Sequence, residues 1–150
     1  DLRAFLEELT AQLISAEAVQ GAHVRTEIHV DDLVIDPDRL APLALFAVEA
    51  VTNAQKHAFA GKGGTLSVNF KVQGDEATLE ISDDGNAPED ALSTSGVGRT
   101  LMTAFGRQLR GRAEVVRNEK GGITARLVFP TPTAELAVKR ASAMGNQAAA

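Results

Sequence analysis

The alternation of apolar and polar positions divides the chain into short elements. Leu2, Phe5, Leu6, Leu9 and Leu13 recur at the three-to-four spacing of one helical stripe, which predicts a helix from Asp1 to about Gln20, ended by Gly21. Val24, Thr26, Ile28 and Val30 alternate with polar neighbours, the period of a half-buried strand. Asp36-Pro37 reads as an N-cap followed by proline at the first helical position. The helix it opens is predicted to run to about His57, where Gly61, Gly63 and Gly64 stop it. Two more alternating runs, Thr65–Val72 and Ala77–Asp83, are separated by Gln73-Gly74-Asp75-Glu76, a hairpin signal. Residues 84–95 lack periodicity and read as a mobile loop. A helix over Gly98–Leu109 follows, then strands near Arg112–Asn118 and Ile123–Phe129, joined by Glu119-Lys120-Gly121-Gly122. Residues 131–150, Ala-rich and without an apolar stripe, read as a weakly helical tail outside the core.

The order α–β–α–β–β–loop–α–β–β has hairpins on both sides of a crossover helix. It predicts a two-layer α/β (α+β) sandwich, a mixed sheet with helices on one face. Three segments result: a lead-in helix over 1–22, a folded body over 23–130 and the tail over 131–150.

Composition narrows the chemistry. At 150 residues the chain is one domain's worth, large enough for a real core. The absence of Cys excludes disulfide scaffolds, thiolate zinc sites, Fe–S clusters and cysteine nucleophiles. A net charge of −5 argues against a nucleic-acid coat. No apolar run approaches the ~20 residues that span a bilayer, and no signal peptide is evident, so no membrane contact is expected. The chain opens on Asp1 instead of Met, as expected of a piece of something longer. Charge is unevenly spread: seven of the 15 basic side chains lie between Arg99 and Arg126, with only Glu114 and Glu119 to oppose them.

Three constellations carry candidate chemistry. On the second helix Glu49 and Asn53 are four apart, with Lys56 and His57 three and four further on, so α-helical winding puts all four on one face. A solvated face is the plain alternative. Asn53 speaks against it, because Asn is poor in mid-helix, and a carbonyl oxygen beside a carboxylate and a lysine suits Mg²⁺ with phosphate. The second is Asp83-Asp84-Gly85-Asn86-Ala87-Pro88 at a strand end, which is either a routine turn or a carboxylate aimed at an exocyclic amine. The third is Ser93-Thr94-Ser95-Gly96-Val97-Gly98-Arg99 before a helix, a hinge or a phosphate-binding helix N-terminus to which Arg99 and Arg107 add charge. His23 and His29 have no ligand-like neighbours, and neither a Ser-His-Asp set nor a Walker-type loop is present.

In this order the motifs resemble the histidine-kinase ATPase superfamily. Asn53-Ala54-Gln55-Lys56-His57-Ala58-Phe59 is similar to its N box, Asp83-Asp84-Gly85 to its first glycine box, Gly96-Val97-Gly98 to its second and Gly121-Gly122-Ile123-Thr124 to its terminal Gly/Thr box. The opening Asp1–Leu9 and the short loop before Gly96 look most like the HisKA_2 or HWE-related branch of bacterial sensor kinases. The resemblance implies a Bergerat-type fold over about Asp1–Pro130 that binds ATP with Mg²⁺. Asn53 would be the metal ligand and Glu49 the acidic catalytic residue. Lys56 and His57 would meet phosphates, and Asp83, with Gly85 and Ala87 in its box, would read adenine. Gly96, Val97 and Gly98 would form a phosphate lid, and Thr124 would back up Asp83. Ala87 departs from the pattern, which has glycine there. The phosphoacceptor histidine is expected on upstream dimerisation helices outside this chain, with a response regulator's receiver domain as the onward partner in the cytoplasm. Two rivals remain: a docking module of the same fold without nucleotide, and a serine kinase of the anti-sigma-factor type.

Overall fold

The computed structural model describes residues 1–16, 23–59, 63–85 and 97–149. Helix α1 (Leu2–Ala16) leads into strand β1 (Val24–Val30), helix α2 (Pro37–Asn53) and a π-helical segment, Ala54–Phe59. Then come β2 (Gly64–Gln73), β3 (Glu76–Asp83), α3 (Val97–Gln108), β4 (Arg112–Arg117), β5 (Ile123–Pro130) and α4 (Pro132–Ala149).

Every predicted strand forms, and together they make one five-stranded sheet in the order β1-β2-β3-β5-β4. β1 runs parallel to β2, as a connection through α2 allows, and the other pairs are antiparallel. The alternation decides which side chains meet the helices. Leu66, Val68 and Phe70 of β2, Leu79 and Ile81 of β3, and Leu127 and Phe129 of β5 all fall in the buried core with Leu43, Phe46 and Val51 of α2. The Phe70 and Phe129 rings, two strands apart, sit 6.2 Å between centroids. α1 contributes Leu2 and Leu6 to the same core, and α3 contributes Met102.

The other face of the sheet is polar. Glu80, Arg126 and Glu114 stand side by side across β3, β5 and β4, and Arg126 Nε bonds Glu80 at 3.0 Å while its Nη1 bonds Glu114 at 2.5 Å.

Three expectations need adjusting. Asp36 occupies the N-cap position of α2 with Pro37 behind it, but its carboxylate pairs with Arg39 and makes no cap hydrogen bond. Within the 131–150 segment Pro132–Ala149 forms a helix, and its first turn is fixed to the body. Thr131 caps it, accepting from Ala134 N–H at 3.2 Å, and the buried Glu135 bonds Arg39 Nε at 3.0 Å and Arg110 Nε at 2.9 Å. Beyond that turn Leu136, Val138 and Met144 are exposed, and no described α4 residue enters the core. The basic run, finally, is paired in part with carboxylates: Arg110 with Glu135, Arg112 with Glu76, and Arg126 with Glu80 and Glu114.

Candidate nucleotide site

β3 ends on Asp83, one of the few buried charged side chains, only 6% exposed. Its Oδ1 accepts from the backbone N–H of Gly85 at 3.1 Å and of Ile123 at 3.2 Å. Among the described residues nothing donates to Oδ2, which stays available to a ligand. Burial raises the carboxyl pKa above its ordinary value, with a smaller push from Asp84; the two N–H bonds and Arg117 pull the other way.

The approach of β5 to this carboxylate depends on Gly122. A Cβ there would lie 2.1 Å from the Asp83 carbonyl oxygen and 2.5 Å from Oδ1. Asn118, just after β4, ties the turn together. Its Oδ1 accepts from Lys120 and Gly122 N–H, both at 3.0 Å, and its Nδ2 donates to the Asp83 carbonyl at 2.9 Å and to Thr124 Oγ1 at 3.3 Å. Sequence reasoning passed over both Asn118 and the Ile123 N–H. The available signal for Asn118 was an Asn opening a Gly-Gly turn.

Thr124 does not stand where it was expected. It pairs directly with Ser82, their hydroxyls 2.9 Å apart, and successive strand residues point to opposite faces. The Thr124 hydroxyl and the Asp83 carboxylate therefore project to opposite sides of the sheet. Thr124 lines a polar cleft of about 330 Å³ with Thr65, Ser67, Ser82, Asn118 and Asp83 itself. Asn118 links Thr124 to the Asp83 backbone carbonyl.

The helical wall opposite is α2 and its continuation. Glu49 and Asn53 are both half-buried in the last turns of α2, and among the described residues neither side chain is engaged in a hydrogen bond or ion pair. Helical winding changes at Ala54, so the shared-face argument holds for Glu49 with Asn53, while the exposed Lys56 follows the wider π winding. Short π segments of this kind recur at functional sites. This one packs against β3, the strand that carries Asp83. The backbone of His57 lies in the same segment, its side chain outside the described residues.

Val97 and Gly98 open α3, whose first turn has no acidic residue, and a helix N-terminus of that kind suits an anion. Arg99 from that turn donates to the Val115 carbonyl at 3.3 Å, anchoring α3 on β4. Gly85 is half-buried beside Asp83, whereas Ala87 and Gly96 lie outside the described residues. Among the described residues no three His, Asp or Glu converge as a metal cage, and no helix is long and apolar enough to cross a membrane.

The model of the family described as histidine kinase-, DNA gyrase B-, and HSP90-like ATPase matches residues 36–133, and the chain belongs to that family. The nitrate/nitrite sensor protein NarX of Escherichia coli is 31% identical over 100 residues, 62% of this chain and 16% of that protein. An anti-sigma F factor of Clostridium acetobutylicum is 28% identical over 102 residues, 58% of this chain and 68% of that protein. The histidine kinase domain of a blue-light activated histidine kinase from Erythrobacter litoralis superposes with a TM-score of 0.74 at 21% identity, over 87% of this chain and 61% of that one. The chain thus spans about a sixth of its NarX relative and about three fifths of this structural neighbour.

Proposed function

We propose that the chain is the ATP-binding catalytic domain of a two-component sensor histidine kinase, handing the γ-phosphoryl of ATP to a histidine on dimerisation helices outside these 150 residues. The observation that carries the reading is the Asp83 cradle. One carboxylate oxygen is held by two backbone N–H groups and the other is left to accept from the 6-amino group of adenine, where guanine carries a carbonyl oxygen. Family membership and the likeness to NarX and to histidine kinase domains support the same conclusion. The HisKA_2 or HWE-related branch rests on the sequence of Asp1–Leu9 and on the short stretch before Gly96.

Phosphoryl transfer asks a protein mainly for positioning and charge neutralisation. Asn53 and Glu49, one turn apart with uncommitted oxygens, fit a hard cation that takes oxygen ligands. Mg²⁺ held there would neutralise phosphate charge. Lys56, His57 and the N-terminus of α3 would meet the phosphates. This reading implies a cytoplasmic domain whose phosphohistidine passes its group to a receiver domain.

Calorimetric titration of ATP with Mg²⁺ tests it. Losing a hydrogen bond to a charged group costs about 1.5–3 kcal/mol, so Asp83→Asn is expected to weaken binding roughly ten- to hundredfold. Asn53→Ala is expected to weaken it only when Mg²⁺ is present. Unchanged affinity in both variants refutes the reading. The likeness to an anti-sigma F factor supports in part the second reading, a serine kinase of the anti-sigma-factor type. Phosphohistidine is acid-labile and phosphoserine is not, so acid treatment of the phosphorylated partner separates the two.

A further inference from the structure

Asn118 uses every hydrogen-bonding position its amide offers in one direction or the other: two N–H groups of its own turn come in, and two donations go out, one of them to the Asp83 carbonyl. It is 35 residues from Asp83 in sequence, and it sits where the strand bearing the acid and the turn supplying the Ile123 N–H come together. We propose that Asn118 is the positioning residue for Asp83 and sets base recognition at the nucleotide site without touching the nucleotide. The inference rests on Asp83 being the group that reads the base.

The physical basis is the double character of the primary amide. Its carbonyl oxygen shapes the turn so that Gly122 and Ile123 lie against β3. Its NH₂ simultaneously clamps the Asp83 backbone and the Thr124 hydroxyl. Aspartate keeps the first job and loses the second, and serine is too short to span both. The charged groups acting on Asp83 are Asp84 at the end of β3 and Arg117 of β4. Glu119 and Lys120 sit on the turn, and Glu49, Lys56 and His57 lie on the helical wall that packs against β3.

Asn118→Asp and Asn118→Ser are compared with the full chain, their folding checked by circular dichroism. Two readouts are taken: the ATP:GTP affinity ratio by calorimetry, and the Asp83 carboxyl titration by carbon-13 NMR without nucleotide. Asn118→Asp is expected to lower the ATP:GTP ratio about tenfold. It should also move the Asp83 midpoint upward, because a like charge now lies near a carboxyl already displaced that way. Asn118→Ser is expected to lower the ratio with a smaller change in midpoint. A merely structural role would lower stability and leave both readouts alone. Variants that fold yet keep the parent's ratio and midpoint overturn the inference. In the unaltered protein the Asn118 side-chain amide protons should exchange slowly, and fast exchange would equally overturn it. Failure of the base-reading assumption looks different: Asp83→Asn would then leave ATP affinity unchanged, while the Asp83 midpoint still reports on Asn118.

Discussion

At the scale of single residues, the site depends on what is missing from Gly122. Every other amino acid carries a Cβ, and at this position it would press into both the carbonyl and the carboxylate of Asp83. Neither atom can retreat, because the carbonyl accepts from Asn118 and the carboxylate from Ile123. Gly122→Ala is therefore expected to force β5 away from β3, destabilising the fold by about 1–3 kcal/mol and weakening ATP binding more than that loss alone explains. Chemical denaturation with nucleotide titration on the same protein checks it; wild-type affinity in a destabilised variant would separate packing from function. The sequence marked Gly121-Gly122 as a box, and residue type alone made that legible. The face of Thr124 was not legible, because one residue of register moves a side chain to the opposite side of a sheet.

At the scale of elements, the ion cluster around Glu135 joins three pieces of chain. Arg39 lies in the first turn of α2, Arg110 follows α3 in a left-handed conformation at φ 59, and Lys139 lies one turn along α4, 3.5 Å from Glu135. The hydrogen bond from Arg39 is the main reason the Glu135 carboxyl titrates below its ordinary value. A depressed carboxylate stabilises the fold above its unfolded pKa, and that contribution is lost as pH falls through the folded value. Glu135→Gln should therefore cost about 1–3 kcal/mol at neutral pH and nothing in acid, where the parent carboxyl is protonated too. Urea denaturation at neutral and acid pH reads this directly, and an equal loss at both would show that shape, not charge, holds α4 in place. α4 carries no apolar stripe because its docking is polar and confined to one turn.

At the scale of the whole molecule, the two walls of the proposed site come from different layers, α2 with its π segment above and β3 with the β4–β5 turn below. A ligand bridging them stabilises the native state by mass action, about 2.7 kcal/mol at a hundred times its dissociation constant. ATP with Mg²⁺ is expected to raise the melting temperature of the parent chain, and to raise it far less in Asp83→Asn. Differential scanning fluorimetry at matched concentrations tests this, and equal shifts in the two proteins would move the binding site elsewhere.

Amino-acid order alone determined the elements, their two-layer arrangement and the strand-end acid. Those follow from local periodicity and from the need of each amphipathic element to bury one face. The α-to-β boundaries fell within a few residues of expectation for the same reason. Only the tertiary structure decided that β5 lies between β3 and β4, that Asn118 holds Asp83 from 35 residues away, and that Arg110, Arg112 and Arg126 meet carboxylates. Those outcomes depend on pairing between distant segments, where register and competing contacts choose among partners that local propensity treats alike.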